Sequence, residues 1–288
     1  MGGRGSSGSQ EVGIGRRLWS MEIALVQMAP ELADPETTCR RLEPRLQQCQ
    51  GADLVVLPEL CPSGYNFRDR QQAQSVAEAV EDSPFLAFLE SQCRRFHFGV
   101  ATGFLERDGN QLFNAAVLVT PEGVLGLYRK LHLFGREKEI FEPGNLGVPV
   151  VEFRDARLAM LVCFDWAFPE VWRLAALHGA DLIAHPSNLV LPGFAQSVVP
   201  SHAVVNRVFV ATANRIGQER DLRFTGLSQI CDPKGNLLAR ASQDREEVLR
   251  ASLALEMSRD KWMTPQNHLF EDRRPEQYRD LLNTQGKS

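Results

Sequence analysis

The chain has no Cys-x-x-Cys pair, and no cysteines and histidines cluster at zinc-finger spacing. Thioredoxin-type redox chemistry and a structural zinc are excluded as organising features, and no metal site is expected. The cysteines stand singly at positions 39, 49, 61, 93, 163 and 231, the pattern of reduced thiols in a cytoplasmic protein. No apolar run approaches the ~20 residues of a membrane span. The opening Met1-Gly-Gly-Arg-Gly-Ser-Ser-Gly-Ser lacks the apolar core of a signal peptide, and residues 1–20 are expected to form a disordered extension. An excess of one charge is missing too. With 32 Lys and Arg against 36 Asp and Glu, the net charge of −4 gives no reason to expect nucleic acid or a membrane as partner. No solenoid-period repeat and no low-complexity linker interrupts residues 21–280, so a single domain over 21–288 is expected.

What is present is a core's worth of apolar residues, 43% of the chain, arranged as alternating strands and helices. Glu22-Ile-Ala-Leu-Val-Gln27 is a short apolar strand, and Asp34-Pro-Glu opens a helix carrying Leu42 and Leu46. Asp53-Leu-Val-Val-Leu-Pro58-Glu59 is a second strand. Residues 71–95 read as a helix broken at Asp82-Ser-Pro. Two strands, 99–104 and 114–119, flank a hairpin turn at Asp108-Gly-Asn110. After the turn at Pro121-Glu-Gly123 the chain runs through Gly126-Leu-Tyr-Arg-Lys130. The second half repeats the logic, with strands closing on His185-Pro-Ser-Asn188 and on Asn214 and a hairpin near Asp232-Pro-Lys-Gly235. βα units mixed with hairpins imply layered sheet and helix with a mixed sheet, an α/β fold.

One stretch stands apart. Leu158-Ala-Met-Leu-Val-Cys163-Phe-Asp-Trp-Ala-Phe-Pro-Glu170 is an apolar run that ends on a cysteine and turns through Phe168-Pro169 into a helix. Such a junction delivers a thiol beside backbone N–H groups able to receive negative charge, although a lone cysteine is more often an inert core residue. Glu59 and Lys130 also close apolar runs, and the ends of strands are where α/β proteins gather their chemistry. Together they supply a nucleophile, a proton acceptor and a cation for an oxyanion. Taken singly, Glu59 reads as a helix-cap carboxylate and Lys130 as a surface charge.

Several motifs then fall in one order: Pro58-Glu59-Leu60 with Gly64-Tyr65, Tyr128-Arg-Lys130-Leu-His132-Leu, Cys163-Phe-Asp165 with Phe168-Pro-Glu170, Asn206-Arg207, Asn214-Arg-Ile-Gly217 and Phe224-Thr-Gly-Leu-Ser228. In this the chain resembles the nitrilase superfamily of carbon–nitrogen hydrolases over residues 21 to about 280. The resemblance implies a four-layer αββα sandwich, pairing into a homodimer or higher homo-oligomer through the cysteine-side helices, and a Glu-Lys-Cys triad with no cofactor. It casts Glu59 as general base and Lys130 with the Phe164 N–H as oxyanion stabilisers. Cys163 becomes the nucleophile that carries a thioester. A second glutamate precedes a Phe-x-Pro-Gly element in many members; here Glu137 fits better than its competitor Glu139.

Tyr65, Phe164, Trp166 and Asn188 are candidates to line the substrate pocket, with packing and loop hydrogen bonding as the plain alternative. His132, His185, Asp165 and Glu170 read as structural. Asp272-Arg-Arg-Pro275 with Tyr278 resembles the family's C-terminal arm. Many nitrile-cleaving members carry Trp-Glu after the cysteine where this chain has Phe164-Asp165, which tilts the expected substrate from nitrile towards small amide. Yet Cys163-Phe-Asp-Trp166 with Ala184-His-Pro-Ser-Asn188 is also similar to prokaryotic, notably archaeal, nitrilases of small aliphatic substrates. N-carbamoyl amidase, acyl transfer and a non-catalytic binding role stand as further alternatives. A histidine-dependent cysteine protease is disfavoured for want of a histidine base, and a lipoprotein acyltransferase for want of membrane spans.

Overall fold

A computed structural model describes residues 20–283. The expected extension lies outside them except for Ser20, which is already the first residue of a strand. In the first half, β1 (Ser20–Gln27), β2 (Leu54–Val56) and β3 (Gly99–Asp108) run parallel, and β4 (Gln111–Thr120) and β5 (Gly123–Arg129) follow as antiparallel hairpins. Helices α1 (Pro35–Gln48), α2 (Arg70–Gln74) and α3 (Pro84–Phe96) connect them, and α4 (Glu137–Ile140) comes after β5. In the second half, β6 (Val150–Phe153) pairs antiparallel with β7 (Ala156–Met160), which is followed by α5 (Pro169–Leu177). Then come β8 (Leu182–Ser187), α6 (Phe194–Asn206) and β9 (Phe209–Asn214), with β7, β8 and β9 parallel. A small ribbon, β10 (Gln218–Glu219) with β11 (Leu222–Arg223), precedes β12 (Gln229–Cys231), β13 (Leu237–Arg240) and β14 (Glu247–Ala254).

The strands form two six-stranded sheets, in the orders β14-β1-β2-β3-β4-β5 and β13-β12-β9-β8-β7-β6. Each has three parallel strands at its heart and antiparallel strands outside. The last long strand crosses back to pair with β1 over its full length, from Ser20↔Ala254 to Gln27↔Glu247. The two sheets stack face to face. Ile23, Leu25, Leu54, Val56, Ala101 and Leu118 of the first share one buried cluster with Leu158, Met160, Leu182, Ala184 and Val210 of the second. On the outer side of the first sheet, Leu42 and Leu46 of α1 and Phe85 and Leu89 of α3 cover Ala24, Val26, Val55 and Val100. On the outer side of the second, Trp172 and Ala175 of α5 and Val199 and Ala203 of α6 complete the fourth layer. This is the αββα sandwich.

Local chemistry explains the starts of these helices. Asp34 accepts the Thr37 N–H (3.0 Å) and Pro35 takes a position where a donor is not needed. Ser83 and Pro84 start α3 in the same way, through the Leu86 N–H at 2.9 Å. The helix expected over 71–95 with a break at Asp82-Ser-Pro is found as α3 beyond that break, whereas the part before it is helical only in α2. Residues 75–79 leave helical geometry because Glu78 joins the edge of β3, its N–H donating to the Leu105 carbonyl (3.1 Å) and its carbonyl accepting the Arg107 N–H (2.9 Å), and Val80–Asp82 form a 3₁₀ turn before α3. A sheet partner distant in sequence overrode local helix propensity there.

Candidate functional site

Three of the catalytic candidates sit just past strand ends on the same side of the sandwich, and each is fixed by its backbone. Glu59 lies three residues past β2. Gly103 of β3 donates to Pro58 O (3.0 Å), and a Cβ on Gly103 would fall 2.3 Å from Glu59 Cα, so only glycine lets β3 approach this closely. From the other sheet, Asn188 Nδ2 donates to Glu59 O (3.0 Å). Lys130 is the first residue past β5; its N–H reaches Asn114 O (2.8 Å) and its carbonyl accepts the Gly144 N–H (2.8 Å). Glu137 begins α4.

The side chains converge away from solvent. Lys130 Nζ donates to Glu59 Oε1 (2.7 Å) and to Glu137 Oε1 (2.8 Å), and all three residues are buried. Asn114 Nδ2 also donates to Glu59 Oε1 (2.7 Å), whereas Glu59 Oε2 has no partner among the described residues. Glu137 Oε1 further accepts the Tyr65 hydroxyl (2.6 Å) and its Oε2 accepts the Phe134 N–H (3.2 Å). Of the two glutamates weighed from sequence, Glu137 is the one brought in; Glu139 is exposed and pairs with Arg136.

Cys163 opens a 3₁₀ turn, Cys163–Ala167, at the end of the run that began in β7. Its φ of 44° lies in the left-handed region, a strained setting for a non-glycine residue that is held by its surroundings. His185 Nε2 donates to Cys163 O (2.9 Å). Asp165 accepts the Val162 N–H (2.9 Å), the Tyr128 hydroxyl (2.7 Å) and an N–H of His132 (2.7 Å at Nδ1), so the turn is clamped from three sides. His132 stacks on Phe168 with centroids 3.6 Å apart. Both histidines and Asp165 thus hold the turn, in keeping with the structural roles expected of them, while Glu170 is exposed in the first turn of α5.

The electrostatics follow from burial. Burial pushes the Cys163 thiol well above its ordinary value, Glu59 and Glu137 add to this, and Lys130 opposes it, so the resting sulfur is a neutral thiol. For Lys130, burial works against the charge, but Glu137 and Glu59 outweigh it and keep the ammonium ionised. Burial also raises Glu137, against the pull of Lys130. Among the described residues no group of three or more metal-ligating side chains is arranged to hold a metal ion.

Phe164, Trp166 and Asn188 line a narrow cleft with Cys163, alongside Phe134, Leu189, Val190 and Leu191. Tyr65 does not. It lines a separate cavity of about 220 Å³ with Phe67, Phe134, Glu137, Phe141 and Leu222. The residue that sequence reasoning missed is Asn114, whose signal was an amide inside the otherwise apolar strand Asn114-Ala-Ala-Val-Leu-Val119. Leu189, Val190 and Leu191 were missed as well, though they continue directly from Asn188.

The sequence model described as carbon-nitrogen hydrolase matches residues 22–261. The chain belongs to the carbon–nitrogen hydrolases of the nitrilase superfamily. This hydrolase is 42% identical over 260 residues to a protein of Pyrococcus abyssi named nitrilase, covering 90% of this chain and 99% of that one. It is 29% identical over 288 residues to the citrullinase of Francisella tularensis, covering 91% and 98%. Among solved structures it superposes on a double mutant of the amidase from Nesterenkonia sp. AN1 in complex with acrylamide, with a TM-score of 0.79 and 29% identity over 91% of this chain and 97% of that one. A carbon-nitrogen hydrolase from Helicobacter pylori gives a TM-score of 0.82 at 27% identity, over 92% and 98%. Among the described residues of the hydrolase, no helix is long and apolar enough to cross a membrane.

Proposed function

We propose that the enzyme hydrolyses a small aliphatic amide through a thioester on Cys163, with Glu59 as general base and acid, Lys130 and the Phe164 N–H as oxyanion donors, and Glu137 as the group that holds Lys130 in place. The observation that carries this reading is the hydrogen-bond division within the buried cluster. Glu59 Oε1 is occupied by Lys130 and Asn114, which leaves Oε2 as the oxygen that takes a proton. An ammonium has three N–H bonds; two go to Glu59 and Glu137, and the third is left for the substrate oxygen.

The steps follow. The Cys163 S–H proton passes to Glu59 Oε2 as sulfur attacks the amide carbon, and the C=O electron pair becomes an oxyanion held by Lys130 and the Phe164 N–H. Collapse of the intermediate breaks the C–N bond while Glu59 returns the proton to nitrogen, releasing ammonia and leaving the thioester. Water then gives its proton to Glu59 and attacks the thioester carbon; the acid leaves and the thiol is restored. The high thiol pKa fits this order, because sulfur is deprotonated only as it reacts.

A second reading, nitrile hydrolysis at the same cysteine, is favoured by the 42% identity to the Pyrococcus abyssi protein named nitrilase. Ammonia release from matched aliphatic nitriles, amides, ω-amides and N-carbamoyl compounds separates the two, with Cys163→Ala as the blank. Amides are expected to turn over and the variant to be silent. Nitriles converted to acids with amides untouched would replace the first reading by the second, and full activity in Cys163→Ala would end both. A cytoplasmic setting and a homodimer belong to the same proposal, the latter supported by Leu174, Leu177, Phe194 and Val205, apolar side chains exposed on α5 and α6.

A further inference from the structure

Phe134 is, among the described residues, the one side chain that lines both the Cys163 cleft and the neighbouring 220 Å³ cavity. On the cleft side its ring meets Phe164 edge-on, with centroids 5.0 Å apart, and Phe164 in turn touches Trp166. The free space over Cys163 is small, about 10 Å³, room for roughly one water. Behind Phe134 the second cavity is lined by the apolar Phe67, Ile140, Phe141 and Leu222 together with the polar Tyr65, Asn66, Arg136, Glu137 and Asp221. Leu222 and Val190, the latter from the Cys163 cleft, pack against the same apolar cluster, so the two spaces are neighbours with a shared apolar boundary.

We propose that Phe134 is a specificity-determining gate, its ring dividing the acyl-side space so that short acyl groups fit beside Cys163 and longer, apolar, unbranched ones fit only when it moves aside. The proposal rests on the reading of the enzyme as a thioester-forming hydrolase and adds the class of acyl chain it takes.

The backbone suits a gate. The Phe134 N–H and carbonyl are tied to Glu137, at Oε2 (3.2 Å) and at its N–H (3.0 Å), so the main chain stays put while the side chain turns. The next residue, Gly135, is exposed with φ of 53°, and a Cβ there would meet nothing within 4 Å. What holds the ring shut on the cleft side is its edge contact with Phe164, an interaction without a hydrogen bond. An apolar chain entering the second cavity replaces that contact with others of the same kind, against Phe67, Phe141 and Leu222.

The test compares wild type with Phe134→Ala and the milder Phe134→Leu. The kcat/KM of unbranched primary amides from acetamide to hexanamide is expected to fall with chain length in the wild type. In Phe134→Ala the hexanamide-to-acetamide ratio should rise by about tenfold or more, with Phe134→Leu between. Identical chain-length profiles in all three enzymes would overturn the gate. A second measurement needs no turnover: alkyl methanethiosulfonates from methyl to pentyl form a disulfide with Cys163 and release methanesulfinate, and intact-mass rates are corrected with Cys163→Ser. A pentyl-to-methyl rate ratio raised in Phe134→Ala supports the gate even if no amide is hydrolysed, in which case only the substrate reading fails. An unchanged ratio overturns the gate whatever the amides do.

Discussion

Lys130 is held by two carboxylates in a site closed to water, so its removal has two separable consequences. Chemically, Lys130→Ala deletes the proposed oxyanion donor, and kcat should fall by about 10²–10³ with a smaller change in KM. A change confined to KM would contradict that role. Structurally, Glu59 and Glu137 lose their shared counter-ion, and breaking such a pair costs about 3–5 kcal/mol, which a lowered midpoint of urea unfolding would report. His185 offers a second residue-level test. Its Nε2 donates to Cys163 O, so in the neutral ring Nδ1 accepts from Thr212 Oγ1 at 3.1 Å. Burial lowers its pKa to about 4; the Cys163 carbonyl and Asp165 oppose that, and His202 and Lys130 reinforce it. A depressed histidine contributes stability that is complete above its unfolded value of 6.5 and is lost as pH falls through 4. The loss corresponds to about 3 kcal/mol. Stability curves from pH 7 to pH 4 should therefore be flatter for His185→Gln than for wild type, and parallel curves would refute the assignment.

At the scale of elements, β3 is the strand on which Glu59 depends. Gly103→Ala inserts a methyl carbon where the Glu59 backbone already lies, 2.3 Å from its Cα and from the Leu60 nitrogen. Either β3 or the Glu59 segment must shift. Activity should drop at least about 10²-fold, since a misplacement of the order of 1 Å has that effect, while Cys163 is untouched. Assays of turnover beside intact Cys163 labelling check this; wild-type turnover would mean that the fit is not needed. Elements also mark the limits of what the sequence disclosed. Strands β1, β2, β7, β8 and β9 were legible because each contains a buried apolar run, and the helix starts because Asp34, Ser83 and Pro169 announce them. The break at Asp82-Ser-Pro was legible too, but its extension back to residue 75 was not, because that is made by Glu78 reaching β3, a contact that no local pattern encodes. Likewise Glu59, Lys130 and Cys163 stood out as reactive residues at run ends, and the choice between Glu137 and Glu139 rested on motif register. Asn114 passed unnoticed because it lies inside a strand, and the second task of Asn188, holding the Glu59 carbonyl, is invisible without the other sheet.

On the scale of the whole molecule, the four layers leave α5 and α6 on the outside, with Leu174 42%, Phe194 59% and Val205 44% exposed on that layer. If two copies pair through this layer, sedimentation should give twice the chain's 32.2 kDa, and Leu174→Asp with Val205→Asp should return the single-chain mass. A monomeric wild type would refute the pairing. The layered plan also explains why the site needs both halves of the chain. Glu59, Lys130 and Glu137 come from the first sheet and its loops, Cys163 and Asn188 from the second, and the Asn188 bond to the Glu59 carbonyl joins them.

The lysine suspended between two glutamates has one more consequence. In the proposed mechanism the thiol proton moves to Glu59 as negative charge appears on the substrate oxygen, so charge is displaced within the buried cluster but none enters or leaves it. Seen from the surrounding solution, the centre is electrically silent through acylation. Ions outside gain nothing by responding to the step, so its rate should be nearly indifferent to ionic strength, unlike enzymes that draw charged substrates in from a distance.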